Sequence, residues 1–526
     1  MIRRSLWIVL LGALAGCTCA GGPEVPATKV AGPGAPNVLL VVWDTVRADH
    51  LSAYGYDRPT SPRLAALAEE GVLYERAVSP GMWTVPSHAS LFTGVPVRTH
   101  GTDAQHKWLD HRFTTLAEHF GGHGYDTWLF SANPYLSTHT NLTQGFDEVE
   151  HPWSPRWKAA AREATMGKLL PEDASNTLAP RWVPTIYPTG RSKDRVKDAG
   201  PVAADALLAW LGGRSDTSRP WLATLNYMEA HVPRVPSRAS REALFDASRI
   251  HQQLTLDQSF GNLLAYTLGK HAYTAEEIEV IASTYDAAVR DVDAALGVLL
   301  DRLEGQGLLD DTIVVVTSDH GEHLGEHHRI GHKFSVYAPL VRVPLVVRWP
   351  KGLPPARVAQ VVSTLAVPNT VADLAGLPPL PDATLGSLRA LDAQPDEAFS
   401  ELLHATPQAL ERVGKIHPEL DWAPWLRTYQ AVEVVDAKCI ERSDDARELY
   451  ALPDDPLETQ DLSATDPERA ATVCGRLEAW RGRVPPYDPG LAGPDDNPTL
   501  ALDAATRARL EVLGYLDDKA DPEAAP

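Results

Sequence analysis

The sequence predicts an α/β protein: a largely parallel central sheet flanked by helices, with a small antiparallel sheet subdomain toward the C-terminus. Three observations carry that prediction. Two continuous apolar runs end in an acid, "NVLLVVWDT" at residues 37–45 and "TIVVVTSD" at 312–319, as strands buried on both faces of a parallel sheet do. Between them, strand-like runs alternate with helical periods, the pattern of βαβ units. From residue 401 the pattern changes to shorter strand-like runs and turns, "YQAVEVV" and "ARELYALPDDPLETQDL".

Each element has its own warrant. "SPRLAALAEEG" (61–71) predicts a helix with Ser61 as its cap, Pro62 at its first position and Gly71 as its stop. "YDTWLFS" (125–131), "WLATLNYM" (221–228) and "VPLVVRW" (343–349) predict strands. Residues 274–307 predict one long amphipathic helix. Its Ile278, Ile281, Tyr285, Val289, Val292, Leu296, Leu299 and Leu303 recur every three or four positions, and Thr274 with Glu277 makes a capping box. Segments 150–205 and 235–272 are less regular and read as insertions over the active face. Residues 504–515 predict a last helix, and the acidic tail after it reads as disordered. The expected division is a leader and tether over 1–36, a catalytic domain over 37–400, a C-terminal α+β subdomain over 401–490, and a terminal helix and tail over 491–526.

The chain has 526 residues, enough for one large domain and an appendage. Its formal net charge is -21, which excludes nucleic acid as a partner, since that needs a basic surface. An anionic substrate must then be held by a local positive site, such as metal ions. At the N-terminus, Arg3 and Arg4 precede a short apolar run, and "LAGC" (14–17) resembles a bacterial lipobox with Cys17 as the lipidated residue. Residues 18–36 are rich in Gly, Pro and Ala and read as a flexible tether. The expected location is a bacterial cell envelope, with the protein anchored to the membrane by its N-terminal lipid and facing the periplasm or exterior. Two cysteines remain beyond the leader, Cys439 and Cys474. Export makes a disulfide between them the expectation, against two buried thiols.

Ligands of an open α/β sheet bind beyond the carboxyl ends of its strands. Asp44 and Asp319 both stand at such ends, so the fold brings them to one edge. His320 and Gly321 follow directly, where a rigid sheet can hold a ligand pair. Further on, His323 and His327 are spaced as a helical metal pair, but Gly321 and Gly325 argue against a regular helix there. Thr84 in "WTVPSHASLFTG" (83–94) reads, taken alone, as a helix N-cap.

Five stretches change that reading. "NVLLVVWDTVRADHLSAYGY", "TVPSHASLFTG", "HVPRVP", "TIVVVTSDHGEHLGEHH" and "ELYALPDDPLE" occur in this order and together resemble the sulfatase family of the alkaline phosphatase superfamily. The resemblance covers most of residues 37–462. It implies an alkaline-phosphatase-like fold and an exported metal-dependent hydrolase of anionic esters. Asp44, Thr84, Asp319 and His320 would hold one divalent cation, and Thr84 would be the nucleophile. His231 and His332 would bind a second cation or the substrate anion, with Glu229 a weaker ligand. Imidazole at position 320 favours zinc or manganese over calcium.

The sequence also departs from a working sulfatase. Such enzymes carry Cys or Ser, oxidised to formylglycine, where Thr84 stands, and Arg where His88 stands. Asn133 and His332 occupy two family Lys positions. Thr with a following His is similar instead to phosphodiesterases and phospho-group transferases of the superfamily. The resemblance therefore implies phosphate monoester or diester hydrolysis first. Sulfuric ester hydrolysis and phospho-group transfer to envelope lipid or glycan are the alternatives. His88, Asn133, His100 and Lys333 are expected around the substrate or behind the first residues, and Arg47 with Asp49 is expected to order the loop after the first strand.

Overall fold

The computed structural model describes residues 34–168, 198–404, 417–493 and the single positions 414, 496 and 510. The leader with Cys17, most of the tether and the predicted helix at 504–515 lie outside the described residues, apart from position 510.

Six strands come first along the chain: β1 (Asn37–Trp43), β2 (Val72–Val78), β3 (Asp126–Ser131), β4 (Glu148–Glu150), β5 (Trp221–Tyr227) and β6 (Thr312–Ser318). A short hairpin follows, β7 (His323–Leu324) with β8 (Ile330–Gly331), then β9 (Arg342–Val343), β10 (Leu345–Arg348) and β11 (Ala356–Ser363). The central sheet runs β11-β2-β10-β6-β1-β5-β3-β4, with β9 also paired to β2. β1 is central and parallel to both β5 and β6. Two neighbouring strands break the parallel pattern: β10 is antiparallel to β6 and to β2, and β9 is antiparallel to β2. An apolar run such as "LVVR" carries no sign of its direction, so the sequence could not show this.

β1 explains why this sheet forms. Its Leu39, Val41 and Trp43 enter one apolar cluster, and Val38, Leu40 and Val42 enter another. Alternate residues of a strand point to opposite faces, so both faces of β1 are covered. Burying each such side chain is worth about 1.5–3 kcal/mol. The first cluster is closed by Ile281, Tyr285, Val289, Val292 and Leu296 of the helix Ala275–Gly305. That helix starts where predicted: Thr274 accepts from the Glu277 N–H and the capping box is complete. The second cluster is closed by Leu116 and Phe120 and by Val367 and Val371.

The helix α1 (Pro62–Glu69) starts where predicted, with Pro62 as its first residue, and stops just short of Gly71. Ser61 is at the N-cap position but its hydroxyl accepts from the Ala53 N–H at 3.1 Å and caps nothing. Gly71 is needed for space: a Cβ there would lie 2.5 Å from the Val347 carbonyl oxygen of β10.

The C-terminal sheet is antiparallel, in the order β12 (Glu397–Leu402), β13 (Tyr429–Val434), β14 (Lys438–Arg442), β15 (Arg447–Tyr450). The helix Pro467–Arg483 packs on it through Val473, Cys474 and Leu477, and Cys474 is disulfide-bonded to Cys439 of β14. Among the described residues no helix is long and apolar enough to cross a membrane.

Candidate active site

The parallel register sets Trp43 of β1 opposite Ser318 of β6. The next residue on each strand is an acid, so Asp44 and Asp319 emerge side by side. Asp44, Asp319 and His320 bring ligating atoms within 4.8 Å of one another, all buried; they are the group of three such side chains found among the described residues. The backbone holds Asp319 in place. Its Oδ1 accepts from the His320 N–H at 2.8 Å and the Thr45 N–H at 3.3 Å. His320 Nδ1 lies 2.9 Å from the Gly321 carbonyl, so Nδ1 carries the proton and Nε2 presents a lone pair, the usual orientation of a metal-bound imidazole. Only glycine fits at 321, where a Cβ would meet the Pro339 carbonyl oxygen at 2.1 Å.

Asp44 Oδ1, Asp319 Oδ2 and His320 Nε2 are buried and have no hydrogen-bond partner. Burial, and then the charge of Asp319, push the Asp44 carboxyl up to about 7. Burial pushes Asp319 up to about 7 as well, and pulls His320 below its ordinary value. Two desolvated carboxylates side by side are costly unless a cation shares them. The three orphaned donors therefore fit a divalent cation.

Thr84 opens the helix α2 (Thr84–Thr93). It is the first helical residue and no N-cap; Trp83 is the N-cap and makes no side-chain cap bond. All ten residues of α2 are buried, which locks the start of the helix in place. Asn133, two residues beyond β3, donates from Nδ2 to Asp44 Oδ2 at 2.8 Å and to Thr84 Oγ1 at 3.2 Å. One amide thus ties the hydroxyl to the metal cluster. The N-terminal end of α2 also favours an anion next to Thr84.

The other expected residues sort by contact. His88 is in the site: its Nδ1 is 2.9 Å from the Thr84 carbonyl oxygen and 3.4 Å from Asp319 Oδ2. Burial pulls its imidazole down to about 3, so it is neutral. His332 lies between His320 and His231, with ring centres at 4.7 and 4.9 Å and the rings tilted to one another. Its Nδ1 is 3.4 Å from Glu322, whose other oxygen is paired with Arg234. His100 lies behind α2, 3.0 Å from Ser90 Oγ and accepting the Thr102 N–H at 2.9 Å. Arg47 forks onto Asp49 at 2.6 and 2.9 Å and reaches Glu326, ordering the loop after β1.

Glu229 has a backbone partner, and the sequence argument against a His323–His327 metal pair stands. Glu229 accepts the Gly200 N–H at 2.6 Å and holds the start of the helix Gly200–Gly213. His323 bonds Ser335 Oγ, and His327 bonds the Leu457 carbonyl, so this pair is not a metal site. The sequence reading also missed a residue. Asn226, near the end of β5, accepts from Ser131 Oγ at 3.2 Å and helps hold the Asp44 carboxyl down. The strand-end rule does not reach it, because Asn226 lies inside β5, opposite Val42.

Residues 36–377 match the sulfatase family model. The chain belongs to the sulfatase family. Arylsulfatase K from Bos taurus is 27% identical over 514 residues, covering 90% of this chain and 87% of that protein. The multifunctional alkaline phosphatase superfamily protein PehA from Trinickia caryophylli is 26% identical over 353 residues, covering 59% and 68%. Among solved structures, the phosphonate monoester hydrolase of Agrobacterium radiobacter has the same fold, with a TM-score of 0.64 and 24% identity over 86% of this chain and 96% of that one. As a member of the sulfatase family the chain is a metal-dependent hydrolase of anionic esters, with its candidate metal cluster at the carboxyl ends of β1 and β6.

Proposed function

We propose that the protein hydrolyses phosphate monoesters or diesters with Thr84 as nucleophile. The observation that carries this is the shared amide of Asn133, which binds both the Thr84 hydroxyl and the metal ligand Asp44. Asp44, Asp319 and His320 would hold one divalent cation, with Thr84 as a fourth donor; the imidazole favours zinc or manganese. When bound, the cation would make the Thr84 alkoxide accessible at neutral pH and draw off charge from the ester. Thr84 Oγ1 attacks phosphorus as the bond to the leaving alcohol breaks and the alcohol departs with a proton. Water then attacks the phosphothreonine at phosphorus, releasing phosphate from a monoester, or a phosphate monoester from a diester, and restoring the hydroxyl. His231 and His332 hold the non-bridging oxygens beside the cluster, and Glu322 orients His332 through Nδ1.

The threonine favours phosphorus over sulfur. A formylglycine hydrate has a second hydroxyl that expels sulfate by carbon–oxygen cleavage, and threonine has none. The arylsulfatase K relatives favour the sulfate reading. We also propose export, with lipidation at Cys17 tethering the enzyme to the cell envelope; the lipobox-like "LAGC" supports it.

The test uses the chain without its leader. Metal content is measured first, then turnover of aryl phosphate, phosphodiester, phosphonate and sulfate esters. About one ion per chain is expected, with phosphoester turnover that falls by on the order of 10³-fold or more in Thr84→Ala. Undiminished turnover in that variant overturns the nucleophile, and turnover of sulfate esters alone overturns the phosphoryl reading.

A further inference from the structure

We propose that Tyr285 is a positioning residue for the cation cluster: its hydroxyl clamps the left-handed turn at Thr45 that follows Asp44. This rests on the metal-dependent reading above, because the turn presents one of the ligands of that cluster.

The chain leaves the central sheet at this turn. The Asp44 N–H still reaches β5, at the Tyr227 carbonyl 2.8 Å away. One residue on, backbone partners give way to side chains at the end of β6. The Thr45 N–H donates to Asp319 Oδ1 at 3.3 Å and the Val46 N–H to Ser318 Oγ at 3.0 Å. The turn therefore joins two ligands: it fixes the exit from Asp44 and holds an oxygen of Asp319.

Thr45 makes this turn with φ at 62°. In that region Cβ crowds the backbone, and a β-branched residue is a true outlier there. Its Oγ1 donates back to the Asp44 carbonyl at 2.7 Å. A residue so strained persists where its surroundings fix it from several sides, and such residues gather at active sites.

Tyr285 supplies the far side. It stands on the helix Ala275–Gly305 and is fully buried. Its hydroxyl donates to the Thr45 carbonyl and accepts from the Arg47 N–H, both at 2.8 Å. One group thus spans the turn and satisfies a buried acceptor and a buried donor. Burial pushes the phenol above its ordinary value, so it keeps the proton it donates. The ring is fixed as well, edge-on to His50 at 5.3 Å and beneath the Arg234 guanidinium at 5.0 Å. The apolar stripe of the helix accounts for a ring at 285, and phenylalanine would fill it. It does not account for a hydroxyl aimed at a strand end.

Tyr285→Phe isolates the hydroxyl, because the ring stays. Mn²⁺ and Zn²⁺ are titrated into the metal-free protein. Affinity should fall by about 10–100-fold in Tyr285→Phe, as it does when the outer partners of metal ligands are lost. Adding Thr45→Gly to that variant should recover at least several-fold of the loss, since glycine takes positive φ without steric cost. A hydroxyl that merely stabilised the core would lower the melting temperature of Tyr285→Phe and leave its affinity alone. Unchanged affinity in Tyr285→Phe, or a loss that Thr45→Gly leaves in full, overturns the proposal. Hydrogen exchange on the wild-type chain decides it without any variant. The Val46 and Arg47 amides should be as protected in the metal-free protein as in the Mn²⁺-loaded one, and protection that appears only with the ion overturns the proposal. Wild-type protein that binds neither ion overturns the cluster reading, while exchange in the metal-free protein still reads the clamp.

Discussion

Two polar regions of this molecule hold buried carboxylates and are opposite in charge balance. At the edge of β1 and β6, Asp44, Asp319 and His320 face one another with three unpartnered atoms and no cationic side chain among them. At the seam between the central and C-terminal sheets, carboxylates meet cations. Glu433 of β13 is paired with Arg76 and Arg342, Lys438 of β14 with Glu458 at 2.9 Å, and Arg442 with Glu448 at 2.8 Å. Burial pushes the Glu433 carboxyl up, but Arg342, Lys438 and Arg76 outweigh it and hold the group below its ordinary value. At the metal cluster nothing outweighs burial, and both acids rise. The comparison separates a site that awaits a cation from a joint that already contains its own.

The largest effect comes from breaking the cluster. Asp319→Asn keeps the oxygen that accepts from Thr45 and His320, and replaces the orphaned oxygen by an amide. It removes a cation ligand and a buried negative charge together. Activity should fall by on the order of 10³-fold or more, while the metal-free protein melts at the same temperature or higher. A metal-free Asp319→Asn protein less stable than metal-free wild type would refute the claim that the two acids are in conflict. The seam should respond with the opposite sign. Glu433→Ala removes the carboxylate that Arg76 and Arg342 share, leaving Arg76 only the Val434 and Val435 carbonyls, and should cost about 3–5 kcal/mol of stability with metal content unchanged. Thermal melts with metal analysis check both variants.

The two regions also differ in how well the sequence shows them. Asp44, Asp319 and His320 are legible because each ends or follows an apolar strand, and strand ends are where such sheets bind ligands. The family resemblance added Thr84, His88 and Asn133, and the structure places all three at the cluster. Local pattern misled elsewhere. Thr84 reads as an N-cap, yet Trp83 holds that position. Glu229 has the chemistry of a ligand, but its partner is a backbone amide of residue 200 that no sequence pattern marks. The ion pairs of Glu433 join residues from different sheets, and no local period records them.

The disulfide sharpens the comparison next. Cys439 and Cys474 close a loop of 35 residues in sequence separation, and both are buried. Opening that loop by Cys439→Ser with Cys474→Ser should cost about 3–4 kcal/mol in the chain-entropy model. The loss is confined to the C-terminal sheet side of the seam. Metal content and turnover at 25 °C should be unchanged, as a denaturant melt with a parallel activity assay would show. Loss of the bound ion in that variant would mean that the seam and the cluster are one cooperative unit.

The smallest effect comes from one seam residue that behaves like the cluster. Glu401 ends the run of β12 acids, and its carboxylate accepts from the Arg98 N–H and the Gln430 amide, both at 2.8 Å, with no ion pair. Burial pushes it up to about 7. Its folded value therefore lies above its unfolded one. Its contribution to stability is full below about pH 4.5 and is lost as the pH rises through 7. The loss should be about 1–3 kcal/mol over that window. Glu401→Gln keeps one acceptor and removes the titration, so its stability should lose that pH-dependent fall, whatever its absolute melting temperature. Denaturant melts of both proteins at pH 4.5, 6 and 7.5 decide it. Parallel curves would show that pairing, and not burial alone, fails to explain which carboxylates of this fold resist ionisation.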